Sequence, residues 1–311
     1  MCRRKAIRAL ASIRLCSLNR QRSSDLATSF SNFRLQPPRY SSRIKAEIKS
    51  MADNSTKKMK ESNRAIKIVE VGPRDGLQNE GLPLVSTRDK LELIRMLERA
   101  GCSNIEVGAF VSPKWIPQMA GSSNVLHSLM LEDLQDNFRR KSINNMSSNT
   151  RPRYSILVPN LKGLESALSA GGSSRRTGRG IIDEISIFGS ASEDFTARNI
   201  NSTIDESMNK FQAITDLVQE AQESHASAND RPILIRGYVS TVIVCPYSGL
   251  IKPKEVAYAV ERMLSLGCHE VSLGDTIGVG TPLSTKRMLD EVLVGLHQIL
   301  QLSAVITLIL T

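Results

Sequence analysis

The sequence predicts an α/β fold: a (β/α)8 TIM barrel, incomplete at about six to seven βα units. Three observations predict the architecture. Short apolar runs alternate with stretches of helical periodicity, which is the pattern of parallel strands joined by crossover helices. No Gly-x-Gly-x-x-Gly follows the first strand, which weakens the competing doubly wound sheet in its dinucleotide-binding form. Residues able to do chemistry gather just after strands, at Arg74-Asp75, Asn160, Ser190-Ala191-Ser192 and Asp275-Thr276. A barrel carries its site at those strand ends.

The elements follow in order. Ala65–Val71 is a short apolar strand stopped by Gly72-Pro73. Leu91, Ile94 and Leu97 recur at helical spacing, with Ser86 or Thr87 to cap that helix and Gly101 to end it. Asn104–Phe110 and Tyr154–Val158 are the next strands, and Lys162–Ala170 is a short helix closed by Gly171. Asp183–Phe188 is the fourth strand. Thr203 and Glu206 form a capping box for a helix over 204–224. Pro232–Thr241 is the fifth strand, Pro253–Leu266 a helix ended by Gly267, and Glu270–Leu273 the sixth strand. Pro282 opens a further helix at a position where its missing N–H does no harm. Residues 131–153 and 172–180 are polar or low in complexity and read as surface loops. Residues 302–311 fit a seventh strand, and no eighth unit follows, so two bare sheet edges are expected.

Composition narrows the function classes. The 311 residues are 41% hydrophobic and 23% charged, as in a globular protein, and the aromatic content of 4% is too low for a nucleic-acid stacking platform. The net charge of +10 lies wholly in residues 1–50, where nine arginines and three lysines face only Asp25 and Glu47. The rest of the chain carries 29 basic and 29 acidic groups, so its body has no net attraction for phosphate. An Arg- and Ser-rich, acid-poor leader over 1–60 has the composition of a mitochondrial or plastid transit peptide, and a start at Met51 would leave a cytosolic form. Residues 61–311 are the barrel domain. No apolar run is long enough to span a bilayer. The five cysteines show neither zinc spacing nor a disulfide framework. Cys245, with no His near it in sequence, reads as a buried structural thiol, and the four scattered histidines read as surface or packing residues.

The chemistry centres on Arg74 and Asp75. An aspartate at a strand end offers oxygen to a hard divalent cation. The neighbouring guanidinium offers a fixed positive fork to a developing oxyanion. Around this pair, Glu70-Val71-Gly72-Pro73-Arg74-Asp75-Gly76-Leu77-Gln78-Asn79-Glu80 resembles the first-strand motif of the 3-hydroxy-3-methylglutaryl-CoA lyase family. Phe110–Trp115, Pro159–Gly163, Arg236–Ser240, Cys245-Pro246-Tyr247 and Ser272–Pro282 match the same family in order, so the resemblance covers about 66–295. It implies cleavage of that thioester to acetyl-CoA and acetoacetate, a reverse Claisen step, with Mg2+ or Mn2+ as cofactor.

By resemblance Asp75 is a metal ligand, and Arg74 faces the thioester carbonyl. Gln78, Asn160, Ser272 and Thr276 line the substrate site, and Glu106 and Asp275 stand at strand ends to support the ligand shell or a proton path. The family draws further ligands from a His-x-His pair on its seventh strand and an Asn in its eighth unit, and a Cys from a Gly-rich loop. Here the corresponding run is Val305-Ile306-Thr307-Leu308. The expectation is a C-terminally truncated form that by itself binds metal weakly and turns over slowly or not at all. Two alternatives stay open: a non-catalytic acyl-CoA-binding remnant, and a Claisen-type synthase of the same superfamily. The expected partner is an acyl-CoA substrate, with a homodimer left open and neither nucleic acid nor membrane involved.

Overall fold

All six predicted strands form and run parallel, in a computed structural model that describes residues 10–12, 67–142, 151–171, 180–224, 232–299 and 305–309. In chain order they are β2 (Lys67–Val69), β3 (Asn104–Ala109), β4 (Arg153–Leu157), β5 (Glu184–Ser190), β6 (Leu234–Ser240) and β9 (Glu270–Gly274). A seventh parallel strand, β10 (Val305–Ile309), pairs with β9 from Val305 opposite Glu270 to Ile309 opposite Gly274. The two ends of the sheet meet through a parallel bridge between Glu70 and Ile105.

Among the described residues the two expected edges, β2 and β10, are bridged by a further strand. Residues Leu10–Ser12 form β1, which lies antiparallel between β2 and β10, with Ala11 opposite Ile68 and Leu308. Unpaired strand N–H and C=O groups accept any extended segment that can reach them, and here the basic leader supplies it. The rest of the leader and the low-complexity segment 172–179 lie outside the described residues.

The helices pack outside the ring. They are α1 (Thr87–Arg99), α2 (Ser122–Ser142), α3 (Leu161–Gly171), α4 (Glu193–Ile200), α5 (Ile204–Ser224), α6 (Pro253–Ser265) and α7 (Pro282–Ile299). The caps read from sequence form as expected. Ser86 Oγ accepts from Asp89 N, and Thr203 and Glu206 exchange their capping bonds at 3.1 and 2.9 Å. One expectation fails: residues 131–142, read as loop, continue α2. The outward half of that helix is mostly polar, and the thin helical period of Leu131, Leu134 and Phe138 among charged neighbours was passed over. Val125, Leu126 and Leu129 nonetheless anchor its first turns in the core. Helix α4 and a small hairpin, β7 (Val244–Cys245) with β8 (Gly249–Leu250), also escaped the sequence reading. Among the described residues no helix is long and apolar enough to cross a membrane.

Two layers of core result. Outward strand residues such as Ile156, Ile185, Ile187, Val239 and Val271 pack against Ile94, Leu126, Leu164, Phe211 and Met263 of the helices. The strand faces turned into the barrel are polar toward their amino ends. Arg236, almost fully buried, sends Nε to Glu184 at 2.6 Å and Nη1 to Glu270 at 2.6 Å. Lys67 reaches Glu270 at 2.6 Å, and His269 lies 3.4 Å from Glu184. Burial alone would raise both carboxyl pKa values, but the charges of Arg236, Lys67 and His269 hold them below the ordinary range.

Candidate active site

At the carboxyl end of β2 the chain makes a single π-helical turn, Gly72–Gly76. The carbonyl of Val71 accepts from the amides of Arg74, Asp75 and Gly76 at 3.1, 2.7 and 3.3 Å, and Pro73 opens the turn without needing a bond. Such turns are rare and recur at functional sites. This one directs Arg74 inward. Its Nε donates to Glu106 Oε2 at 2.5 Å and its Nη1 to Asp75 Oδ1 at 2.7 Å. The guanidinium stands 5.6 Å from the centre of the Tyr238 ring, and the Tyr238 hydroxyl donates to Glu106 Oε1 at 3.3 Å.

Burial would lower the Arg74 pKa, but Glu106, Tyr238 and Asp75 together raise it, so the guanidinium is a permanent cation. Burial, reinforced by Glu106, pushes the Tyr238 phenol upward and keeps it a hydrogen-bond donor. The result is a fixed positive charge held by a fully buried carboxylate and a neutral phenol. It is suited to stabilise negative charge developing on an oxygen placed beside it.

The other predicted residues are distributed unevenly around this cluster. Glu106 lies in the middle of β3 rather than at its end, which is why it reaches Arg74 from inside the barrel. Asp275 follows β9 directly, nearly buried, with Oδ2 accepting from Gly280 N at 2.6 Å. A Cβ at Gly280 would sit 2.7 Å from that oxygen, so the close approach needs glycine.

Thr276 Oγ1 accepts from Thr241 N at 2.7 Å and braces a residue held at φ 59°, a costly conformation for a β-branched side chain. Ser272 is deeper, accepting from Arg236 Nη1 at 3.1 Å. Gln78 is half-buried on the turn after Asp75. Asn160 is exposed and caps α3, with Oδ1 accepting from Gly163 N at 2.9 Å. Sequence reasoning missed Tyr238 and Arg236. Their strand reads Arg-Gly-Tyr-Val-Ser, where inward alternation could have flagged both side chains.

Cys245 is buried, as expected of a structural thiol, and its sulfur accepts hydrogen bonds. Ser192 Oγ donates to Sγ at 3.1 Å and Tyr247 N at 3.4 Å. Burial pushes the thiol up, and these donors together with Ser248 more than offset it, so its pKa falls below the ordinary value. His269 is packed among Glu184, Glu270 and the Ile235 carbonyl, and burial keeps its pKa low.

A divalent ion would find one donor of the expected set here, Asp75, about half exposed and with Oδ1 already on Arg74. Among the described residues no three His, Cys, Asp or Glu side chains stand together to hold a metal. Hard cations take six or more oxygens, so these residues do not by themselves fit a resident magnesium.

Comparison with known proteins accords with this geometry. The HMGL-like family model matches residues 65–304. Over 246 residues the chain is 45% identical to the mitochondrial hydroxymethylglutaryl-CoA lyase of Macaca fascicularis, covering 79% of this chain and 64% of that protein. Over 228 residues it is 42% identical to the cytoplasmic 3-hydroxy-3-methylglutaryl-CoA lyase of Rattus norvegicus, covering 73% and 55% respectively. The crystal structure of hydroxymethylglutaryl-CoA lyase from Pseudomonas aeruginosa superposes with a TM-score of 0.57 at 40% identity, covering 73% of this chain and 63% of that one. The chain thus spans less than two thirds of the length of these relatives. With its barrel, its strand-end cluster and a family match over most of its length, the chain belongs to the HMGL-like family.

Proposed function

We propose that the protein is a carbon–carbon lyase that cleaves 3-hydroxy-3-methylglutaryl-CoA to acetyl-CoA and acetoacetate. The carrying observation is the cation of Arg74, locked between Glu106, Asp75 and Tyr238 at the carboxyl end of β2. The reaction removes the proton of a tertiary hydroxyl, breaks the adjacent carbon–carbon bond, and leaves the acetyl-CoA half as an enolate that takes up a proton. Arg74 suits the enolate oxygen: its position is fixed before charge develops, so little reorganisation is needed. The burial of Asp275, directly after β9, supports assigning it to the proton path. Asp75 would be this chain's donor to a divalent ion, which would supply Lewis-acid polarisation of the hydroxyl once further donors complete the site.

Release of acetoacetate from the thioester with Mg2+ or Mn2+ tests the reading. It is measured for this chain and for one extended with the remaining length of a relative. Absence of product from the extended chain refutes it. A second reading, acyl-CoA binding without turnover, is favoured by the single metal donor among the described residues. Calorimetric binding of the thioester with no acetoacetate formed would support it. The basic leader supports delivery to the mitochondrial matrix, and a fusion of residues 1–60 to a fluorescent protein that fails to enter mitochondria would count against that.

A further inference from the structure

Between Asp75 and the start of α1 lies a loop, residues 77–86, whose outer side carries the exposed Leu82 and Leu84. One buried side chain from another connection fastens it. Gln118, 3% exposed, sits in the short 3-10 turn Pro117–Met119 after the Ser-Pro-Lys-Trp run. Its Oε1 accepts from Val85 N at 3.0 Å. Its Nε2 donates to Gly81 O at 3.0 Å, with the carbonyls of Glu80 and Pro83 at 3.4 and 3.5 Å. The main-chain carbonyl of Gln118 is held in turn by the buried Lys90 ammonium of α1. One amide therefore satisfies both a donor and acceptors of the loop, and an ammonium anchors it from behind.

The loop is tied to the catalytic turn by two bonds. Glu80 N donates to Leu77 O at 3.0 Å, and Asn79 Nδ2 donates to Asp75 O at 3.0 Å. Gln118 touches neither Arg74 nor Asp75.

We propose that Gln118 is a positioning residue. It clamps loop 80–85 and, through Glu80 and Asn79, fixes the turn that presents Arg74, Asp75 and Gln78. The relevance of that turn to turnover rests on the lyase reading. The clamp itself does not.

The experiment uses the full chain and follows amide hydrogen exchange peptide by peptide in the wild type, Gln118→Ala and Gln118→Glu. In Gln118→Ala, exchange at 80–85 should rise about tenfold or more, as expected when a clamped loop loses about 1.4 kcal/mol of local closure. The rise should also extend to 74–79. Gln118→Glu is the specific probe. Ionised, it keeps the Val85 bond but turns a negative charge on three carbonyls. Protonated, it regains a donor for Gly81. The charged groups facing it are Lys90 from α1, present in all variants, and Glu80, whose carbonyl is in contact. Corrected for intrinsic rates, its exchange should therefore fall back toward wild type between pH 7.5 and about 5, since burial raises a carboxyl pKa. Gln118→Ala should show no such recovery.

Wild-type protection at 80–85 in both variants overturns the clamp. Loss confined to 80–85, with 74–79 unchanged, overturns the positioning role. Should Gln118→Ala fail to fold, the pH recovery of Gln118→Glu decides the matter alone. Where turnover is measurable, a fall in kcat larger than the rise in KM accompanies the loss at 74–79. A wild-type chain that is clamped but forms no acetoacetate counts against the lyase reading and leaves the clamp standing.

Discussion

Replacing Glu106 by glutamine removes one charge from a buried pair and keeps the shape. Arg74 and Glu106 are 2.5 Å apart, with side chains 10% and 0% exposed, so neither has water to fall back on. Removing one member of such a pair typically costs about 3–5 kcal/mol, mostly from the charge left behind. Here Asp75 Oδ1 remains 2.7 Å from the same guanidinium, which places the expectation near the lower end, about 3 kcal/mol. Tyr238→Phe keeps the ring over the guanidinium and loses a single bond of 3.3 Å, for about 0.5–1 kcal/mol.

The diagnostic variant is the double replacement Arg74→Met with Glu106→Gln. It leaves no buried cation, so it should be more stable than Glu106→Gln alone, a favourable coupling that a cycle of urea unfolding curves measures directly. If Glu106→Gln lies within 1 kcal/mol of wild type, or if the double variant is the least stable of the set, the account of Arg74 as a buried cation held by Glu106 is wrong.

Other outcomes follow from the same geometry. Arg236→Met leaves Glu184 and Glu270 facing each other and should cost about 3–5 kcal/mol in urea unfolding. Because both carboxyls lie below their unfolded values in the native protein, their stabilisation is present above about pH 4.3 and is lost as pH falls through the depressed range. The acid-side slope of unfolding midpoint against pH should shrink in Arg236→Met. Among the described thiols, burial raises Cys102 and Cys268 while Cys245 is lowered. Alkylation resolved by mass spectrometry should therefore show the lowest pH midpoint at Cys245, and Ser192→Ala should move it up. Asn160→Ala should destabilise by about 1 kcal/mol through the lost cap of α3, a figure that thermal unfolding can read.

Much of the site was legible because its parts are local. The turn after β2 is set by Gly72-Pro73, and the pairing of Arg74 with Asp75 needs only adjacency. The caps at Ser86 and Thr203 are likewise written in neighbouring residues. The assignment of Asn160 to the substrate site rested on a motif, and the structure shows the side chain capping α3 from an exposed position. Alternation along β6 could have marked Tyr238 as inward, but its pairing with Glu106, 132 residues away, has no local pattern behind it. The continuation of α2 past residue 131 was local but faint: Leu131, Leu134 and Phe138 recur at helical spacing among charged neighbours that obscure the period.

The sequence by itself determined the order of strands and helices, their caps and the chemistry gathered at strand ends, since each depends on residues a few positions apart. Only the tertiary structure decided which charges meet. The ring closure brings Glu106 of β3 and Tyr238 of β6 onto one guanidinium, and it gathers Lys67, Glu184, Arg236 and Glu270 into one buried network. It also decided what completes the sheet, with Leu10–Ser12 paired between β2 and β10. Coulombic pairing in a dry interior depends on distance through space, and sequence separation carries no information about it.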